Sequence, residues 1–447
     1  MKIRNLNIPF YNRFSPITLE ILGGTFISMT LKIVGAVLTF IFSIVLARKL
    51  GAGGAGDFFL ALTVITISSV LGRMGLDSSL LRFTAANAAM DDWIGIKGLY
   101  SKGIKLALVS SILFSIGVFS LSPWIAENIF NKPGFSITLR GMTIAIVPMS
   151  LILLHAYLLK GLTRIRDSIL VESVGTPLVT LLLFFVFFRR FNSATAVYAY
   201  VTGTILTAIY SILRWQSATK RMRKLKGEFD TRTLLRSCLP LYWFAIMVLI
   251  INWTSILMLG IWAGSKDVGI FGIASRSATL SSLVLFAVNS IAAPKFASLY
   301  KKGDMATLSA VARSTNRIMI VVAAPILLFC VAAPEWVMGL FGNEFRKGST
   351  ALIILSIGQF VNVSTGSVGY LLVMSGFEKS MRNNATMSAI VNIILNIILV
   401  PYYGINGAAV ATSISLIWIN LASVVSAYKK LSIKIISIPK WCLFYAK

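Results

Sequence analysis

Twelve apolar runs, each close to the length of a membrane crossing, dominate this chain: residues 24–47, 57–81, 106–126, 137–159, 168–188, 195–214, 237–262, 268–292, 317–341, 349–374, 384–401 and 405–428. A helix needs about 20 apolar residues to cross the hydrocarbon core, and a lipid-facing backbone must satisfy its own hydrogen bonds. Charged residues make up 13% of the chain and the mean hydropathy is +0.83, against about 25% charged residues in a soluble domain. The expected fold class is therefore an all-α integral membrane protein of about twelve transmembrane helices. Gly and Pro punctuate the gaps, as in Gly51-Ala-Gly-Gly-Ala-Gly56, Asn131-Lys-Pro-Gly134 and Pro401-Tyr-Tyr-Gly404.

A polar strap divides the apolar runs into two sets of six. Between Arg214 and Arg236 it carries Arg214, Lys220, Arg221, Arg223, Lys224, Lys226, Arg232 and Arg236 against only Glu228 and Asp230. The expected organisation is a six-helix lobe over 1–214, a basic linker over 215–236, a second six-helix lobe over 237–428 and a basic tail over 429–447. Of the 42 Lys and Arg, thirty fall on the side of the N-terminus, the strap and the tail, and eight on the other. That asymmetry puts both termini in the cytoplasm and absorbs the net charge of +27 into topology and contact with anionic lipid rather than nucleic acid. Residues 1–20 lack the apolar core and small-residue site of a removable signal peptide. The tail, from Leu431, could lie in the membrane interface or fray.

The two sets of runs look like copies. Gly56-Asp-Phe58 corresponds to Gly269-Ile-Phe271 at an offset of 213, as does Arg82-Phe83 to Lys295-Phe296; Leu158–Arg164 aligns with Val373–Lys379 at 215. Repeats of six spans enter from the same side, so a pseudo-two-fold along the membrane normal should relate the lobes, with a shared site between them.

Cations inside the runs mark that site. Lys32 lies about eight residues into its run, roughly 12 Å deep, on one stripe with Thr25, Ser28, Gly35 and Thr39. An ammonium at that depth costs several kcal/mol against lipid, so it should face a wet or protein-lined interior, with snorkelling to the surface as the competing reading. Arg73 follows Thr66 and Ser69, with Asp77 one turn later; it is either a cavity residue or half of an i,i+4 pair. Arg276 shares a stripe with Gly269, Gly272 and Thr279, with no carboxylate nearer than Asp267. Arg140 lies near a run end and should snorkel. Lys32, Arg73 and Arg276 at two depths would suit an anionic passenger.

Asn252, Gln359, Asn362, Asn392 and Asn396 are interhelical hydrogen-bonding residues or sugar contacts. His155, the only histidine, is expected to be a packing residue. Acids are scarce in the runs (Asp77, Glu172, Glu335), which weighs against an acidic pocket for cationic drugs; Asp77 and Glu335 are the candidates for ion coupling. Gly35, Pro148, Pro177 and Pro325 are candidate bending points. Cys238, Cys330 and Cys442 have no metal-ligand spacing. Short outer loops, the weak Asp91-Asp92 pair and the lack of a phosphate-binding Gly-rich loop leave an enzyme without machinery and imply no cofactor.

Several stretches resemble polysaccharide or O-antigen flippases of the Wzx type, within the multidrug/oligosaccharidyl-lipid/polysaccharide exporter superfamily. They are Val45–Gly51 with Gly56–Phe59, Leu76–Arg82, Asp267–Gly272, Ala293–Tyr300 with Gly303-Asp304, and Leu340–Phe345. The last is Asn392-Ile-Ile-Leu-Asn396 leading into Pro401–Thr412. The resemblance implies two six-helix lobes in a bacterial inner membrane. It further implies that an undecaprenyl-diphosphate-linked oligosaccharide is moved from the cytoplasmic to the periplasmic leaflet by alternating access, alongside other polysaccharide assembly proteins. The first-half counterpart of Pro401–Gly407, Phe188–Ser193, lacks its Pro and Gly. Peptidoglycan-precursor flippases of the superfamily usually have two more helices, which makes them the lesser match. A drug/cation antiporter of the same superfamily and a membrane-embedded polysaccharide enzyme are the alternatives.

Overall fold

The computed structural model describes residues 16–186, 192–222 and 225–433, so the tail beyond 433, most of Phe188–Ser193, and Arg223 and Lys224 of the strap lie outside the described residues. The helices, in chain order, are α1 (Pro16–Arg73), α2 (Leu76–Ala89), α3 (Trp93–Trp124), α4 (Phe135–Thr143), α5 (Ile146–Gly161), α6 (Ile165–Ile169), α7 (Thr176–Val186) and α8 (Ser193–Ala218). After the strap come α9 (Thr231–Trp262), α10 (Ser265–Thr279), α11 (Leu283–Lys301), α12 (Met305–Ala332), α13 (Pro334–Gly339), α14 (Ser349–Thr365), α15 (Val368–Met374) and α16 (Glu378–Leu431). Among the described residues nine helices are long and apolar enough to cross a membrane, or ten if α4 and α5, bent 42° apart, form one crossing. The fold is an all-α membrane fold.

Two expected loops shrink to single residues. The chain turns at Gly51 (φ 66°, ψ −178°) inside α1 and at Gly404 (φ 50°, ψ −124°) inside α16, so each of these helices carries two of the expected runs. Positive φ is readily reached by glycine and disfavours L side chains, which is why the break falls there. Several expected runs are interrupted, two of them at a glycine. The run 57–81 breaks at Met74-Gly75, where a Cβ on Gly75 would sit 2.7 Å from Cys238 O and Tyr242 N of α9. The run 349–374 breaks at Gly366, pressed against Asn316 of α12. Tertiary contact decides both breaks.

The strap rests on the first half. A Cβ on Gly98 of α3 would lie within 2.3–2.7 Å of the Glu228 backbone, and Lys102 Nζ donates to Phe229 O at 2.5 Å. The Phe229 ring meets Phe83 edge-on, with centroids 5.2 Å apart. Asp230 caps α9 by accepting from the N–H groups of Arg232 and Thr233; hydrogen bonds from Thr233, hydroxyl first, hold its carboxyl below the usual range.

Opposite the strap, the halves meet at closest range. A Cβ on Gly56 would fall 1.7 Å from Ser265 O and 2.9 Å from Gly269 N; a Cβ on Gly269 would fall 2.2 Å from Ala52 O and 3.1 Å from Gly56 N. Both Ala52/Ser265 and Gly56/Gly269 are separated by the repeat offset of 213. The contact is reciprocal, Gly56 meeting Ser265 while Gly269 meets Ala52. Phe59 packs on its own counterpart, Gly272, at 2.9 Å from the Cβ position. Around this contact Arg48 Nε donates to Leu340 O at 2.7 Å, the Ala52 N–H to Glu344 at 3.3 Å, and Ser265 Oγ to Asp57. Beneath it one buried cluster joins the halves through Phe42, Phe58, Phe59, Phe271, Phe341 and Phe345.

Gly56→Ala and Gly269→Ala should each lower thermal stability in detergent by several degrees, because backbone has to move. Gly53→Ala, in the same helix with nothing within 4 Å of its Cβ position, should be neutral or stabilising by up to about 1 kcal/mol. Equal melting temperatures for Gly53→Ala and Gly56→Ala would contradict the packing described.

Candidate functional site

A cavity of about 660 Å³ lies mainly within the first half and is completed by the second. One wall is the stripe of α1 from Ser28 through Lys32, Gly35 and Thr39 to Phe42; α5 supplies Met149, Ile152 and Leu153, and α8 supplies Tyr200. From the second half come Trp253 of α9, Arg276 of α10 and Leu283 of α11. Its volume falls within the range of about 300–1,000 Å³ usual for sites that bind small molecules or headgroups.

Lys32 and Arg276 thus face one space from different halves of the chain. Arg276 leans over the Phe59 ring with its guanidinium carbon 4.2 Å from the centroid, and its Nη1 donates to Ser43 Oγ at 3.2 Å. The ring face and the hydroxyl hold a cation where no described carboxylate pairs with it. Counted along the helices, Arg276 is seven residues from Gly269, about 10 Å, whereas Lys32 is nineteen from Gly51, about 28 Å. The two cations therefore stand at different depths.

Arg73 does not line the cavity. It is 4% exposed, and its Nε donates to both Asp77 oxygens at 2.9 and 3.0 Å while Nη1 donates to Ser69 Oγ at 2.7 Å. Ser69 continues to Ser150 (3.0 Å) and Ser150 to Ser111 (2.9 Å), a polar seam joining α1, α3 and α5. The i,i+4 spacing lets the pair close within two adjoining helices, so the charge is spent locally. Asp77 is held in this pair, and Glu335 is exposed on α13; neither lines the cavity.

The amides lie elsewhere too. Asn252 is exposed and donates to Val248 O; Gln359 accepts from Ser282 Oγ (2.7 Å) and from Asn362 Nδ2 (3.1 Å). Asn392 and Asn396 are fully buried together, Asn396 Nδ2 donating to Asn392 O at 2.8 Å. His155 sits between Tyr100 Oη (3.2 Å) and Ser211 Oγ (3.0 Å), both within hydrogen-bond distance. Arg140 donates to Ser122 Oγ.

Glu172, one of the scarce acids of the apolar runs, is a cavity residue that its position in the sequence did not mark. It enters the cavity from a π-helical segment, Leu170–Gly175, between α6 and α7, and accepts from Lys160 Nζ at 2.6 Å. Single-turn π segments re-aim side chains out of the α-helical register and recur at functional sites. Gly35 makes room for this turn: a Cβ there would lie 2.6 Å from Ser173 O. Gly35 acts as a close-packing residue, and Pro177 lies just past the π turn at the second position of α7. The one available signal was a lone acid in an apolar run.

The fold is thus an all-helical membrane fold enclosing a cavity lined from both halves of the chain. The chain belongs to the family of polysaccharide biosynthesis proteins, whose model matches residues 21–300. It is 24% identical to the probable low-salt glycan biosynthesis flippase Agl15 of Haloferax volcanii over 391 residues, 86% of this chain and 78% of that one. Among solved structures it is similar to an inward-facing multidrug resistance MATE family transporter of the MOP superfamily. That match has a TM-score of 0.76 and 14% identity, covering 91% of this chain and 98% of that one. It is also similar to the lipid II flippase MurJ in an inward closed conformation, with a TM-score of 0.71 and 16% identity, covering 92% and 87%. These relatives and neighbours are described as flippases and transporters, and the solved structures share the fold of this chain.

Arg73→Ala should destabilise the detergent-solubilised protein by about 3 kcal/mol, because it strands Asp77 and opens the serine seam. The double variant Arg73→Ala/Asp77→Ala should lose less than Arg73→Ala alone. Thermal unfolding of the three proteins checks this; a double variant as unstable as the sum of both single changes contradicts the pairing.

Proposed function

We propose that the protein carries a lipid-linked glycan across a cytoplasmic membrane, its charged headgroup passing through the cavity while the lipid tail stays in the bilayer. The observation that carries this reading is the pair of cations, Lys32 and Arg276, facing one cavity from two halves of the chain. An anionic diphosphate can pair with each in turn, which offsets its loss of hydration. The family match, polysaccharide biosynthesis, and the flippase description of Agl15 support a glycan as the cargo. An undecaprenyl diphosphate bearing an O-antigen, capsule or exopolysaccharide repeat unit is the finer form of the proposal.

The direction is from the cytoplasmic to the outer leaflet, with both termini and the basic strap on the cytoplasmic side, as the distribution of Lys and Arg supports. The two six-helix lobes rock about the Gly56–Gly269 contact in alternating access, related by a two-fold along the membrane normal. Asn252, Gln359, Asn362, Asn392 and Asn396 are proposed no longer as sugar contacts in this conformation, since each lies away from the cavity lining. A drug/cation antiporter is disfavoured because the cavity's acid, Glu172, is neutralised by Lys160 and outnumbered by Lys32 and Arg276.

Reconstituted into proteoliposomes, the wild type should move a polyprenyl-diphosphate-linked oligosaccharide to the leaflet where an added glycosidase reaches it. Lys32→Glu should reduce the rate by about a hundredfold, the scale of reversing one partner of a desolvated charge pair, with unchanged amounts of protein in the membrane. Arg276→Lys should retain part of the rate and Arg276→Glu little of it. Normal flipping by Lys32→Glu would overturn the proposal.

A further inference from the structure

The wall beside Lys32 holds an arrangement that the transport reading does not use. Glu172 points into the cavity from the π turn, with Lys160 Nζ at 2.6 Å, and both side chains are about three-quarters buried at 22% and 24% exposed. Lys160 stands at the last turn of α5, its ammonium 4.6 Å from the Tyr157 ring centroid. Lys32 lies within electrostatic reach of both Glu172 and Lys160. The close seat of Ser173 against Gly35, one helical turn beyond Lys32, brings the π turn to the Lys32 stripe of α1. Two ammonium groups and one carboxylate therefore share one patch.

We infer that Glu172 is a resident counter-anion that an arriving phosphate displaces, and that Lys160 is a further ligand of the headgroup. This rests on the proposed transport of a phosphate-bearing lipid and names how that site is held ready. Three points support it. Two ammonium groups near one another in a site of low dielectric repel, so they need an anion when no cargo is bound. The carboxylate and a phosphate oxygen make the same charge-assisted hydrogen bonds to an ammonium. A phosphate and Glu172 cannot both occupy the patch without like-charge repulsion, so binding one releases the other. Glu172 then sets the affinity: it weakens the hold on the headgroup enough for release on the far side, and Lys160 with Lys32 receives the phosphate.

The test uses the full-length protein in nanodiscs with geranylgeranyl diphosphate as the probe. Glu172→Gln, which removes the competing charge and keeps the shape, should bind the probe about tenfold more tightly and flip lipid-linked glycan more slowly. Lys160→Gln should weaken binding, and by more in the Glu172→Gln background than in the wild type. A measurement on the unaltered protein removes dependence on folding of the variants: bound probe should protect Lys160 from an amine-acylating reagent, read by mass spectrometry. Equal or weaker binding by a well-folded Glu172→Gln, or a Lys160 as reactive with the probe as without it, overturns the inference while the transport reading stands, provided Lys32→Glu still abolishes binding. A wild type that does not bind the probe, or binding indifferent to Lys32→Glu, contradicts the transport reading and the inference with it.

Discussion

Everything in this molecule hangs on a backbone-to-backbone approach that leaves no room for a single methyl group. Gly56 and Gly269 allow α1 and α10 to touch through the carbonyls of Ser265 and Ala52. In a bilayer, helices gain little from apolar burial against one another, so close approach through small residues supplies much of the attraction. The contact also fixes geometry. With α1 and α10 clamped at that end, the turns of α1 bearing Lys32 and of α10 bearing Arg276 are directed to the same cavity. Arg48, Asp57, Ser265, Leu340 and Glu344 add polar contacts around the clamp.

Charge inside the molecule is handled in three ways, and magnitude separates them. Arg73 and Asp77 close a bifurcated pair in the packed interior, where an unpaired charge would cost several kcal/mol, and are structural. Arg276 is held by a ring face and a hydroxyl, weaker partners that a stronger anion can outcompete. Glu172 lies between these extremes, lining the cavity while paired with Lys160. A site that must bind and then let go is better served by the second and third arrangements than by the first.

The helical membrane fold was legible because twelve apolar runs admit few other solutions, and the break positions at Gly51 and Gly404 fell within stretches already marked by glycine. Lys32 with Ser28, Gly35 and Thr39 shared a face by helical spacing alone, and that face lines the cavity. Asp77 one turn after Arg73 offered the pair that forms, but spacing cannot say whether a neighbour or a cavity wins the guanidinium. Glu172 was invisible as a cavity residue because a π turn shifts its direction away from the regular helical register. The contact of Gly56 with Ser265 was equally hidden: the repeat offset relates the residues, yet only assembly shows that they touch. The strap read as a polar connector; its seat on Gly98 and Lys102 of α3 depends on tertiary contacts that no run of Lys and Arg announces.

A density map of the protein in nanodiscs saturated with a polyprenyl diphosphate addresses the shared cationic cavity most directly. Phosphate density within hydrogen-bonding distance of Lys32 or Arg276, inside the space they both line, is the predicted result. Headgroup density elsewhere on the protein, with both side chains turned away from it, would contradict it.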